Sequence, residues 1–155
     1  MAKQKQTDNN ITYNKNASRN YHLTERLEAG LVLQGTEVKS IRQGNVQLND
    51  SYANIEKGEI YLHHMNISPY KQGNRFNHSP TRPRKLLLHK QEIRKLIGSV
   101  VEKGYTLVPV RLYWQKGKVK VELALAKGKT KGDKRQDMKR KDALREMDYA
   151  RKRGK

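Results

Sequence analysis

The chain contains no cysteine, which excludes disulfide scaffolds, thiolate zinc sites and cysteine nucleophiles together. Acidic residues are scarce: 15 Asp and Glu stand against 34 Lys and Arg in 155 residues, a formal net charge of +19. A balance that one-sided is more than an ordinary solvated surface needs and points first to nucleic acid, then to an anionic membrane surface. Long apolar runs are missing too. Nothing approaches the roughly 20 residues of a membrane span, and the opening MAKQKQTDNN has no hydrophobic signal-peptide core. The expectation is therefore a soluble, cytoplasmic protein that uses no membrane, with room for one domain plus tails.

What is present is concentrated at the end. Residues 127–155 read KGKTKGDKRQDMKRKDALREMDYARKRGK, with 13 Lys and Arg against 5 Asp and Glu, and from Asp133 to Arg153 neither Gly nor Pro occurs. The composition predicts a helix with Asp133 as N-cap, Gln136 at the capping-box position, and Asp137/Lys141 and Asp148/Lys152 as favourably ordered i,i+4 pairs. Met138, Ala143, Leu144, Met147 and Ala150 are too few to form an apolar stripe. Such a helix is marginal in water, so the segment is expected to lack shape until a polyanion neutralises it.

The rest of the chain predicts a small domain. Residues 1–10 read as a disordered N-terminus, Ile11 to Lys15 as the start of a strand, and Tyr21 to Ala29 as a short helix closed by Gly30. GTEVKSIRQG gives a helical turn or two, and Ser51–Glu56 and Glu59–Asn66 flank Lys57-Gly58 as a hairpin. Tyr70 to Pro83 reads as an exposed, mobile loop. After Arg84–Leu88, His89 to Lys103 shows apolar residues at Ile93, Leu96, Ile97, Val100 and Val101, a helix with one core-facing side. Two alternating strands follow around the Gln115-Lys116-Gly117 turn, with Pro109 marking an edge or a bulge. About six short strands and one such helix predict a mainly β, α+β fold: a closed or nearly closed barrel of the oligonucleotide-binding type, with added helices and a basic tail. The domain plan is 11–126 barrel and 127–155 tail.

Catalytic patterns are not found. His63 and His64 are adjacent on a predicted strand, which sends them to opposite faces, and His22, His78 and His89 are scattered. The carboxylates form no paired motif, and no phosphate-binding glycine loop or nucleophile elbow occurs. No enzyme, metal or cofactor is expected. Eight tyrosines are interleaved with the basic residues, against one Phe and one Trp. Tyrosine can stack on a base while hydrogen-bonding a backbone, which suits single-stranded or looped RNA; Tyr105 and Tyr113 read instead as half-buried barrel residues.

GTEVKSIRQGNVQLNDSYANIEKGEIYL, PTRPRKLLLHKQEI, GYTLVPVRLYWQKGKVKVELALAKGK and DKR, in that order from about Tyr13 to about Arg140, closely resemble the bacterial SsrA-binding protein (small protein B) family. The resemblance implies an oligonucleotide-binding-type barrel that binds the tRNA-like end of transfer-messenger RNA as a monomer, one to one, and brings it to stalled ribosomes for trans-translation. It implies that Asn14, Glu28 and Leu87 meet the D-loop/elbow region of that RNA. Lys15, Arg19, Arg82, Arg84 and Lys85 would supply phosphate contacts, and Tyr21 a ring. In the tail it implies that Asp133, Lys134 and Arg135 lie near the decoding centre, with Lys131 also touching the ribosome, while the helix bearing Lys139, Arg140, Arg145 and Tyr149 enters the vacant mRNA channel. Gly132 departs from the His or aromatic that many relatives carry before the Asp. The rival reading is a generic ribosomal or tRNA-binding barrel.

Overall fold

The computed structural model describes residues 9–153. Its elements are β1 (Asn10–Tyr13), α1 (Ala17–Asn20), β2 (Tyr21–Leu31), α2 (Gly35–Arg42), β3 (Val46–Gln47), β4 (Tyr52–Glu56), β5 (Glu59–His63), β6 (Asn66–Ile67), β7 (Arg84–Leu87), α3 (Lys90–Ile97), β8 (Thr106–Gln115), β9 (Lys118–Gly128) and α4 (Lys131–Arg153). The main sheet runs β1-β8-β4-β5-β7-β2-β9 and closes where β8 also pairs with β9. Six strands therefore form a ring, with β1 added along the far half of β8. Ile60, Leu62, Met65, Leu86, Leu107, Leu112, Val121 and Leu123 fill it, and Ile93 and Leu96 of α3 pack on the same core. The α+β barrel expected from the alternating patterns is what the chain builds.

One expected helix is a strand. Tyr21 to Ala29 belongs to β2, which pairs with β9 from Tyr21↔Gly128 to Gly30↔Lys120 and with β7 at Gly30↔Leu87. Leu23 and Leu27 are four residues apart, a spacing that places them on one face of a helix; in β2 the register shifts between Leu23 and Arg26, and Leu23 packs beside Val108 and Ala126 while Leu27 packs on the main core. Glu25, Arg26 and Glu28 favour a helix, but pairing along a whole strand edge overrides that weak preference. Gly30 then caps nothing; it sits buried between two strands.

Other boundaries follow the sequence closely. Lys57 and Gly58 both take positive φ, 50° and 78°, as a two-residue hairpin of the mirror-image turn requires. The β8–β9 register shifts between Pro109 and Arg111, the bulge that proline predicts. The helix after His89 ends sooner than expected: α3 stops at Ile97 and Gly98–Glu102 continues as a π-helical turn. The loop from Tyr70 is pinned rather than free. Residues Lys71–Phe76 form a 3-10 turn, Asn77 exchanges hydrogen bonds with the Tyr70 backbone at 2.9 and 2.5 Å, and His78 is buried, donating through Nε2 to Ile67 O at 2.8 Å.

The tail also differs. Its helix begins at Lys131, and the cap is Thr130: the Asp133 N–H donates to Thr130 Oγ1 and the Thr130 N–H to the Asp133 carboxylate, both at 3.1 Å. Asp133 is thus the third residue of the helix and the reciprocal half of a capping box. Sequence reasoning expects this segment to lack shape by itself; the structure has it as one helix roughly 35 Å long. Met138, Leu144 and Met147 stay exposed along it, as the missing apolar stripe requires.

Candidate RNA interface

Where β7, β2 and β9 run side by side, two of the expected site residues come together. Gly30 pairs with Leu87 on one side and Lys120 on the other. A Cβ on Gly30 would lie 3.3 Å from Leu87 Cβ, so only glycine lets the strands meet there without displacing Leu87. A depression of about 360 Å³ opens at this point, lined by Glu28, Gly30, Leu87, Leu88, His89, Glu92 and Lys120. Leu87 is 52% exposed, an apolar side chain left on the surface beside a carboxylate. On its other flank lies an apolar cleft of about 260 Å³ that includes Leu31, Leu33 and Trp114.

The Tyr113 hydroxyl of β8 lies near that carboxylate, and its pKa is pushed upward first by burial and then by Glu28. Glu122, opposite Glu28 in the strand register, is drained of its repulsion by Arg111 at 2.6 Å and Arg26 at 3.0 Å. Burial would raise the Glu122 pKa, but the two guanidiniums bring it below the ordinary range. Glu28 is left as the exposed acceptor of the group. A carboxylate next to an exposed leucine can accept from the amino and imino edge of an unpaired base while the leucine packs on the base or ribose.

The family model described as "SmpB protein" matches residues 11–153. The chain belongs to the SmpB family. A curated protein named SsrA-binding protein from Geobacillus thermodenitrificans is 63% identical over 140 residues, covering 90% of each chain, and one of the same name from Bacillus subtilis is 58% identical over the same share. A solved chain described as "tmRNA-SmpB: a journey to the center of the bacterial ribosome" superposes with a TM-score of 0.65 at 46% identity, covering 81% of this chain and 92% of that one.

The other positions to which the SmpB resemblance assigns RNA contact do not share one surface. Asn14 is only 8% exposed; its Nδ2 donates to Pro109 O at 2.9 Å and its Oδ1 accepts from Asn16 N–H at 3.1 Å, so it shapes the corner between β1 and α1. Arg84 is corrected outright. It is fully buried, donates to Glu37 at 2.5 Å and to the carbonyls of Met65 and Pro80, and cannot reach a phosphate. Arg82, partly exposed, closes on the same Glu37. Burial works to raise the Glu37 pKa, and Arg82, the Gln34 N–H and Arg84 more than offset it. Lys85, on the strand beside Leu87, stands 3.7 Å from Glu59, and Tyr21 packs partly buried against Ala17, Val108 and Ala126. Lys15 and Arg19 are exposed around α1.

In the tail, Lys134 is half-exposed, and Arg135, Lys139, Arg140 and Arg145 are exposed; the side chains of Lys131 and Tyr149 lie outside the described residues. The Asp133 carboxylate reaches His22 Nε2 of β2 at 3.3 Å, and its pKa is lowered first by the Thr130 N–H and then by His22. Sequence reasoning missed Tyr113 as the neighbour of Glu28, and Gly30, His89 and Lys120 as neighbours of Leu87. The outward alternation of Lys118, Lys120 and Glu122 was the available sign for Lys120. His64 is a further departure: its φ of 65° takes it off the strand, and both His63 and His64 lie 5.3 Å from the Tyr52 ring instead of on opposite faces.

Proposed function

We propose that this chain is a non-enzymatic RNA-binding adaptor. Its barrel holds the tRNA-like part of transfer-messenger RNA at the depression around Glu28 and Leu87, and it brings that RNA to ribosomes stalled without a usable codon, for trans-translation in the cytoplasm. The observation that carries the reading is the juxtaposition of an exposed carboxylate and an exposed leucine on neighbouring strands of a strongly basic barrel. The relatives named SsrA-binding protein, and the solved chain described with tmRNA and the ribosome, support the choice of partners. Residues 11–126 do the RNA holding and 127–155 engage the ribosome, with Asp133, Lys134 and Arg135 at the decoding centre and α4 in the vacant mRNA channel. A cationic helix with no apolar stripe gains most where RNA walls surround it, and an occupied channel would exclude it.

Deleting residues 133–155 leaves binding to the isolated tRNA-like domain largely intact and abolishes peptide tagging. Equal loss of both would overturn the division of labour. Glu28→Ala weakens that RNA more than unrelated RNA of the same length; equal weakening would reduce Glu28 to a surface charge.

A further inference from the structure

Among the residues whose side chains are described, Tyr13 is the most exposed tyrosine, at 54%. It ends β1, the edge strand of the main sheet, and is not part of the core. Its hydroxyl is nevertheless fixed. Arg111 Nε donates to Glu122 Oε2 at 2.6 Å, Arg111 Nη1 to Asn10 Oδ1, and Asn10 Nδ2 to the Tyr13 hydroxyl, a chain of hydrogen bonds running from β9 through β8 to β1. Arg111 also lies over the Tyr113 ring, 4.4 Å from its centroid. A ring that is exposed yet anchored through its hydroxyl loses little freedom when something packs on its face.

The strand register puts this ring in line with the depression at Glu28. Glu28 of β2 pairs with Glu122 of β9, Glu122 with Arg111 of β8, and Arg111 with Tyr13 of β1. Residues paired across strands share a face, so these four form one row on the sheet. A neighbouring row runs Leu87, Gly30, Lys120, Tyr113 and Asn10. Three strand spacings of about 4.8 Å place Tyr13 roughly 14 Å from Glu28. Glu122 between them is paired with both Arg26 and Arg111, which leaves Glu28 as the open carboxylate of the row. A phosphodiester strand leaving Glu28 therefore passes Lys120 and Arg111 and arrives at a ring.

We propose that Tyr13 is a base-stacking residue of the RNA interface: an unpaired base, a few nucleotides from the one held at Glu28 and Leu87, lies on its ring, and the backbone between them crosses Lys120 and Arg111. The inference rests on the adaptor reading and deepens it, because it carries the contact from the depression to the edge strand. The neighbours of Tyr13 on this face, Asn10 and Arg111, are polar and cationic, which suits a nucleotide better than an apolar protein surface. A ring offers its face to any base, so Tyr13 supplies affinity and register, and the choice of base stays with Glu28.

The test is anisotropy titration of the labelled tRNA-like domain with the full-length protein and its variants, together with ultraviolet cross-linking of the wild-type complex and identification of the linked peptide. Tyr13→Thr keeps a strand-forming residue in β1 and should lose at least fivefold in affinity. Tyr13→Phe, which keeps the ring, should stay within twofold of the wild type. The tryptic peptide 6–15, which carries Tyr13, should be linked to RNA. Tyr52→Thr, at the exposed tyrosine of β4, should change nothing. Tyr13→Thr within twofold of the wild type, Tyr13→Phe as weak as Tyr13→Thr, an equal loss in Tyr52→Thr, or no RNA on that peptide each overturns the proposal. Glu28→Ala separates this failure from that of the adaptor reading. Selective loss at Glu28 with none at Tyr13 keeps the reading and removes the ring; equal loss on tRNA-like and unrelated RNA in Glu28→Ala, with the Tyr13 loss and cross-link intact, keeps the ring and removes the reading.

Discussion

Arg84 was expected at a phosphate and is found inside the molecule, which makes Glu37 and Arg84 the sharpest test of the structure. Glu37 Oε1 accepts from the Gln34 N–H at 2.8 Å and from Arg82, and Oε2 accepts from Arg84 Nε at 2.5 Å; the Glu37 and Arg84 side chains are both 0% exposed. Glu37→Ala leaves the Arg84 guanidinium buried with only the Met65 and Pro80 carbonyls as partners. Removing one partner of a buried pair costs about 3–5 kcal/mol, a large share of the roughly 5–15 kcal/mol that holds a domain together. At roughly 2–4 °C per kcal/mol for a chain of this length, the melting temperature falls by something on the order of 10 °C. Arg84→Met should cost less, because the carboxylate keeps Arg82 and the Gln34 N–H at Oε1 and loses only its partner at Oε2. Glu37→Leu/Arg84→Met removes both charges and should recover more than half of either loss.

The assay is urea unfolding of the three variants, with RNA binding measured under conditions where each remains folded. Arg84→Met should bind the tRNA-like domain as the wild type does. An Arg84→Met protein of unchanged stability that binds the RNA tenfold more weakly would refute the reasoning, because it would place Arg84 on the surface. The pH dependence has a definite sign. Glu37 is held below its ordinary value of 4.5, so its contribution is present above that pH and disappears as pH falls through the lower folded-state value. Glu37→Gln should remove that part of the acid-induced loss of stability.

Four further outcomes are expected. Ultraviolet titration should show a tyrosine ionising after the others, and Glu28→Gln should bring that step down, because the Glu28 carboxylate helps to push the Tyr113 hydroxyl upward; a curve unchanged by Glu28→Gln would separate the two groups. Tyr113→Phe should weaken binding to the tRNA-like domain, by about 1 kcal/mol at most for the loss of a hydroxyl beside the Glu28 carboxylate, without altering binding to unrelated RNA. Gly30→Val should displace Leu87, whose Cβ lies 3.3 Å from the position of the added carbon, and should reduce RNA binding by more than its loss of stability explains. Thr130→Ala should lower the helical circular dichroism by loosening the first turn of α4, at a cost of about 1 kcal/mol; unchanged helicity would deny Thr130 the capping role.

Much was legible in the chain before any coordinates. Alternating apolar residues in Val108–Trp114 and Val119–Leu125 fixed the long hairpin, Lys57-Gly58 fixed the short one, and the excess of lysine and arginine fixed the class of partner, because these are properties of neighbours in sequence. The misreadings share a cause. Tyr21–Ala29 is a strand because β9 and β7 lie beside it, Arg84 is buried because Glu37 comes from α2, and Tyr70–Pro83 is pinned because Thr36 and Ile67 meet His78. None of those partners is local. A lysine- and arginine-rich chain declares its charge in its composition, but which of those charges face solvent depends on partners 40 to 100 residues away. The same holds for the interface. Glu28 and Leu87 could be named one at a time from the sequence, whereas their meeting across Gly30 exists only because the barrel closes, and closure is decided by burial of the whole core at once.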